Sequence, residues 1–230
     1  MRRDIAAYAP YQVFLNHPYD KDFRRHADAL GFAVVAAGLV PVSARDLSSP
    51  DQLRLEMIFE AIRNCHYSLH DLSRAHGEGP DNLARMNMPL EMGMALYHAL
   101  DRQRVDRRCA FFVPARHDFR RFASDLAGLD PKVYDDEPTT LLAGAYEWLR
   151  AIVPMAYVSS QPTVDVVDAY REFTHECTGI ESAERDGVLT HDEAREVMYQ
   201  VCGAREWWDW RNTRSGRDAF PEVPLRRKVR

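Results

Sequence analysis

Five short apolar runs, separated by longer stretches of helical periodicity, set the strongest limit on what this chain can fold into. The runs cover 11–15, 39–42, 66–72, 109–113 and 132–134. Between them, Phe23, Ala27, Leu30, Val34 and Val35 recur at helical spacing, as do Leu55, Ile58, Phe59 and Ile62. The same spacing returns in Phe119, Phe122, Ala123 and Leu126, and in a helix over 138–153 with Leu141, Leu142, Ala145, Trp148 and Leu149 on its apolar side. Connections of this length are too long for hairpins and suit crossovers between parallel strands. The expectation is an α/β fold with a doubly wound, flavodoxin-like sheet of five parallel strands, covered by helices on both faces. Pro41 argues against a central place for the second run, and the fifth reads as an edge strand.

Past 153 the alternation stops. Ser159-Ser160-Gln161-Pro162 reads as a linker, followed by two amphipathic helices near 164–177 and 192–202. A tail carries Trp207, Trp208, Trp210 and the basic run Arg226-Arg227-Lys228. The expected organisation is one α/β domain over 1–154 and a C-terminal helical extension over 163–230, a size that supports one substantial core plus an appendage. A net charge of -5 supplies no nucleic-acid footprint over the whole chain. No apolar run approaches the ~18 residues of a membrane span, and the N-terminus lacks an apolar core of signal-peptide length. Cys65, Cys109, Cys177 and Cys202 have no paired Cys-x-x-Cys spacing, so reduced thiols in a cytoplasmic protein are expected.

One stretch stands apart chemically. Residues 87–100 read Asn-Met-Pro-Leu-Glu-Met-Gly-Met-Ala-Leu-Tyr-His-Ala-Leu. Asn87 or Met88 is placed to cap a helix with Pro89 in its first turn. That helix is apolar or small on almost every side, which predicts burial. Glu91, expected in its first turn, then has two roles open to it. It complements the helix dipole, worth about 0.3–1 kcal/mol, or it stands at the mouth of a pocket as the chemical centre.

In a doubly wound sheet, ligands bind beyond the carboxyl ends of the strands. That rule selects the turn Asn16-His17-Pro18-Tyr19-Asp20, the turn 71–73 and the approach to Glu91. It gathers Asp20, Asp71, Ser73, Asn87 and Glu91 at one edge. No Gly-rich dinucleotide fingerprint, phosphate-binding P-loop or nucleophile elbow is present. A carboxylate-rich pocket with hydroxyl and amide groups suits a sugar.

Plainer roles are open to several of these residues. Asp71 suits a cap, and Asn16 and Asp20 suit turn formation alone. His66 and His70 fit packed positions in a buried strand, and Met88, Met92 and Met94 fit a core. Arg54 either meets a phosphate or is simply solvated. No Cys/His spacing matches structural zinc. Residues 182–193 roughly follow a calcium loop, but Ser182 stands where its first Asp belongs, while Thr190 and Glu193 make an ordinary capping box.

Three segments together resemble a known superfamily. They are Asn16-His17-Pro18-Tyr19-Asp20, the strand from Ile62 through Cys65, Tyr67 and His70-Asp71-Leu72-Ser73, and Asn87-Met88-Pro89-Leu90-Glu91-Met92-Gly93. Over about 11–153, a domain-sized span, the chain is similar to the nucleoside 2-deoxyribosyltransferase-like and TIR-like nucleotide-binding proteins. The resemblance implies cleavage or transfer of an N-glycosidic bond of NAD or a related nucleotide or nucleoside. Glu91 would be the nucleophile or the stabiliser of an oxocarbenium-like centre. By the same resemblance Asp71 positions ribose or base, Asn87 orients Glu91 or contacts the sugar, and Ser73 adds a hydroxyl. Asn16, Pro18, Tyr19 and Asp20 form the loop that holds ribose or its phosphate, with Tyr19 free to stack on a base. It implies no metal and no resident cofactor, with NAD a substrate.

The expected partners are a nucleotide or nucleoside and further copies of the chain, with no membrane and no nucleic acid. The alternative is a non-catalytic nucleotide-sensing module that signals through its C-terminal helices. A third reading is an adaptor that assembles through 163–230.

Overall fold

The computed structural model describes residues 12–47, 49–75, 77, 83–100, 107–115, 130–155, 158–183, 188–205 and 207. The helix expected at 119–126, Trp208, Trp210 and the basic run lie outside the described residues. Five strands form one parallel sheet: β1 (Gln12–Asn16), β2 (Val40–Ser43), β3 (Tyr67–Asp71), β4 (Arg108–Pro114) and β5 (Lys132–Tyr134). Their order is β2-β1-β3-β4-β5, all parallel, with helices on both faces. This is the expected doubly wound fold. Pro41 causes no conflict because β2 is an edge strand, and β5 is the other edge.

Helices α1 (Arg24–Ala36) and α4 (Pro138–Ile152) cover one face, and α2 (Arg54–Asn64) and α3 (Asn87–Leu100) cover the other. Strand pleating sorts the core accordingly. Val13, Leu15, Tyr67 and Leu69 join the α1/α4 cluster, while Phe14 packs with Ile58, Ala61 and Ile62 of α2. A Schellman motif ends α1: Gly38, at φ 86°, donates to Val35 O and Leu39 donates to Val34 O. That turn sends the chain directly into β2.

The extension consists of α5 (Thr163–Ala183) and α6 (His191–Ala204), and both pack into the same core cluster as α1. Phe32 meets Tyr170 and Phe173 with ring centroids 5.5 and 5.4 Å apart. The Tyr170 hydroxyl donates to Arg25 O, and Arg24 pairs with Glu181 at 2.7 Å. Helix α1 is therefore buried on nearly every side from Ala29 to Ala36. Helix α5 runs past the expected end at 177, with the Thr178 and Ser182 hydroxyls turned back onto carbonyls one turn earlier. Ser182 is thus committed within its own helix, and Glu193 closes a capping box with Thr190. Both contacts leave those two side chains engaged away from any calcium, while 184–187 lie outside the described residues.

Helix α3 corrects two expectations. It is not buried all round: Leu90 is 52% exposed and Tyr97 74%, because α2 flanks only one side of this outer helix. Met88, Met92 and Ala95 do face inward, together with Glu91. The helix also begins at Asn87, with Leu90 N donating to Met86 O, so Asn87 lies inside it and Glu91 is its fifth residue. That places Glu91 past the free backbone N–H groups of the first turn, where the dipole effect fades.

Among the described residues, no helix is long and apolar enough to cross a membrane. All four cysteines are free thiols.

Candidate active site

At the carboxyl edge, the winding reverses between β1 and β3, and Asn16, the last residue of β1, pairs in register with His70, one residue before the end of β3. Asn16 is buried and uses its side-chain amide twice. Nδ2 donates to His70 Nδ1 at 3.0 Å and to Met88 O at 2.8 Å. Because Nδ1 of His70 accepts, its proton is on Nε2, which donates to Ser68 Oγ at 2.9 Å. Burial pushes His70 down to about 3, so the ring is neutral. The chain Ser68–His70–Asn16–Met88 locks β1, β3 and the first turn of α3 together.

Glu91 stands one helical step beyond that lock. Its residue exposure is 8%, yet among the described residues it makes no hydrogen bond and no ion pair. Burial raises its pKa to about 7, and the nearby Arg54 guanidinium opposes this only in part. A carboxylate in such surroundings is normally paired or neutralised. Perturbed carboxyls of this kind concentrate at functional sites.

Tyr19 lies on the same side. Burial and the nearness of Glu91 push its phenol up to about 12, with Arg54 and Arg45 pulling the other way. Arg45, in the short 3-10 turn Ala44–Asp46 after β2, lays its guanidinium 4.5 Å from the Tyr19 ring centroid and donates to Tyr19 O at 3.0 Å. One ring face is thereby taken by a cation, and the ring edge meets His17 at a centroid distance of 5.1 Å. His17 donates through Nδ1 to Pro18 O, and its buried Nε2 has no partner among the described residues. Burial holds His17 neutral, down to about 4. Pro18 is buried, and Asn87 is exposed at the start of α3.

The remaining expected residues lie on the other face of β3. Asp71 Oδ1 accepts from both the backbone N and the hydroxyl of Ser73, and Oδ2 accepts from the Tyr134 hydroxyl at 2.8 Å. Burial raises the Asp71 pKa, and these hydrogen bonds oppose it. Asp20 receives Phe23 N at 3.0 Å and the guanidinium groups of Arg74 and Arg85 at 3.3 and 3.1 Å. Burial alone would raise its pKa, but Arg74, Phe23 N and Arg85 together hold it below the usual range. A cavity of about 230 Å³ lies beside this cluster, lined by Phe23, His26, Ser73, Arg74 and Tyr134 among others. Asp71, Ser73 and Asp20 thus tie loops together with oxygen atoms already engaged, whereas Glu91, Tyr19 and Asn16 meet on the α3 side.

Arg45 has no place among the expected site residues, although the signal was present. The loop after the second strand also leaves the carboxyl edge, so the rule that selects the other loops selects it too. Among the described residues, no group of three or more His, Cys, Asp or Glu side chains is placed to hold a metal.

Compared with models of known protein families and with characterised proteins, the chain matches none significantly.

Proposed function

We propose that this protein cleaves or transfers the N-glycosidic bond of NAD or a related nucleotide or nucleoside, with Glu91 as nucleophile or oxocarbenium stabiliser. One observation carries the reading: a nearly buried carboxyl group at the sheet's switch point, without hydrogen bond or ion pair among the described residues, poised near neutral pH. An ionised carboxylate held this way gains most when a positive centre forms beside it. Departure of a base with its bonding electrons creates that centre at the anomeric carbon. Glu91 then screens the cation or bonds to it, and attack by water or a second base on the same carbon frees the carboxylate. Asn16 positions the turn that carries Glu91, and Tyr19 lines the mouth. Asp71 keeps the end of β3 in shape through Ser73 and Tyr134.

The test is incubation of the protein with NAD and a panel of nucleosides and nucleotides, with free base measured by chromatography. The reading expects release by the native chain and none by Glu91→Gln, with both folded. Full turnover by Glu91→Gln would overturn it.

The second reading, a sensing module, is favoured by one contact. Arg195 of α6 pairs with Asp46 at 2.9 Å, immediately beside Arg45. Ligand capture at Tyr19 and Arg45 would then reach the extension through Asp46. Saturable binding without any product, together with altered amide exchange in α6, is its signature.

A further inference from the structure

Two exposed guanidinium groups stand on the Tyr19 side of the Glu91 site, and neither has a carboxylate within ion-pair distance among the described residues. Arg45 and Arg54 form no ion pair there. Each is oriented instead by a main-chain carbonyl: Arg45 Nη2 donates to Tyr19 O at 3.0 Å, and Arg54 Nη2 donates to Ala44 O at 3.1 Å. A carbonyl fixes a cation's position without cancelling its charge. A guanidinium carries five N–H donors, so donors remain on both. Arg45 lies over the Tyr19 ring, and Arg54 reaches the carbonyl of Ala44, the residue before Arg45, so these contacts bring both arginines to one turn. Both cations act electrostatically on Tyr19, and Arg54 also on Glu91.

The adjoining helix end adds an independent feature. Helix α2 starts at Arg54, and the residue before it, Leu53, offers no side-chain cap to the first-turn N–H groups. An uncapped helix start next to two unpaired guanidinium groups is suited to an anion. Donors from two elements, the Ala44–Asp46 turn and the start of α2, suit the several terminal oxygens of a phosphate better than the two of a carboxylate. Tyr19, with one face under Arg45, serves to hold that cation in place.

We propose that Arg45, Arg54 and the open start of α2 form a phosphate subsite, so that the preferred ligand carries a phosphate on its sugar and is a nucleotide, not a free nucleoside. This rests on the reading of Glu91 as the group facing the anomeric carbon, since one ligand would then reach Glu91 with its sugar and the two arginines with its phosphate.

The test separates the two ideas by measuring binding alone, in the full-length Glu91→Gln chain. Each of the common nucleosides and its 5′-monophosphate is titrated calorimetrically, with inorganic phosphate as competitor. At least one monophosphate should bind about tenfold or more tightly than its nucleoside, as charge-assisted hydrogen bonds require. Inorganic phosphate should compete, and the preference should shrink as salt is raised. Arg45→Gln/Arg54→Gln should abolish the preference, and Arg45→Lys/Arg54→Lys should keep most of it. Equal affinity for nucleoside and monophosphate, no binding of any monophosphate, or a preference that survives the double Gln variant would overturn the subsite. Base release from free nucleosides without any phosphate preference would sink the subsite and leave the glycosidic reading standing. A phosphate preference in a chain that never releases base would do the reverse.

Discussion

Asn16 donates its side-chain amide to the carbonyl of Met88 across 2.8 Å, and this one bond fastens the end of β1 to the first turn of α3, three residues before Glu91. The same amide group also fixes the tautomer of His70. Replacing Asn16 by Ala leaves the buried Met88 carbonyl and His70 Nδ1 without this donor. The expected cost is about 2 kcal/mol, which lowers Tm by roughly 4–8 °C for a chain of this size. Calorimetric melting checks it, and an unchanged Tm would show that the lock is not under load.

Glu91 makes a prediction about stability that is separate from catalysis. It ionises at about 7 in the folded chain, against 4.5 as an ordinary carboxyl. Between those values the unfolded chain gives up its proton while the folded chain keeps it, so stability falls as pH rises and levels off above about 7. Glu91→Gln removes the penalty. It should be more stable than the native chain by up to about 3 kcal/mol near pH 8, and no more stable near pH 4. Denaturant titrations at the two pH values decide the matter.

Asp20 behaves in the opposite sense. Its folded pKa is held low by Arg74, Phe23 N and Arg85 against the effect of burial, so its contribution is present above the ordinary carboxyl range and is lost as pH falls through its folded pKa. Asp20→Asn should release the two arginines and cost about 1–2 kcal/mol at neutral pH. Amide exchange should rise at Ser73–Ala75 and around Arg85, because Arg85 N is bonded to Arg74 O in the same loop. Protection unchanged in those residues would show that Asp20 does not hold them.

Arg195 tests whether the extension reaches the site. Arg195→Ala removes its pairs with the partly exposed Asp46 and the exposed Asp192, so stability should change by less than about 1 kcal/mol. Nucleotide affinity should nevertheless weaken, since Asp46 belongs to the turn that presents Arg45. Unchanged affinity would detach α6 from the site.

Much of this architecture is legible in the sequence, for identifiable reasons. The span 87–100 and the strand at 132–134 follow directly from periodicity and flanking turn residues. Pro41 already pointed to the sheet edge that β2 occupies. What periodicity cannot supply is the partner of each face. The Tyr134 hydroxyl that engages Asp71 comes from 63 residues away, and nothing local marks it. The run from Leu30 to Ala37 is apolar all round, a sign of burial on every side, but the covering helices α5 and α6 are far along the chain. In α3 the same sign misleads, since its outer face is exposed.

The candidate site divides along the pleat. His70 and Asp71 are sequence neighbours and so point to opposite faces of β3. His70 joins Asn16 and the α3 side, while Asp71 joins Ser73 and Tyr134. A constellation read as one pocket from loop positions becomes a Glu91 site and a structural anchor behind it.

The most direct measurement is the rate of base release as a function of pH, for the native chain and for Glu91→Gln, on whichever nucleotide or nucleoside binds. If ionised Glu91 faces the anomeric carbon, the native rate rises about tenfold per pH unit below about 7 and levels off above it. Glu91→Gln then shows no release at any pH while keeping its fold and its ligand. A Glu91→Gln chain with the native rate and pH profile would contradict the account.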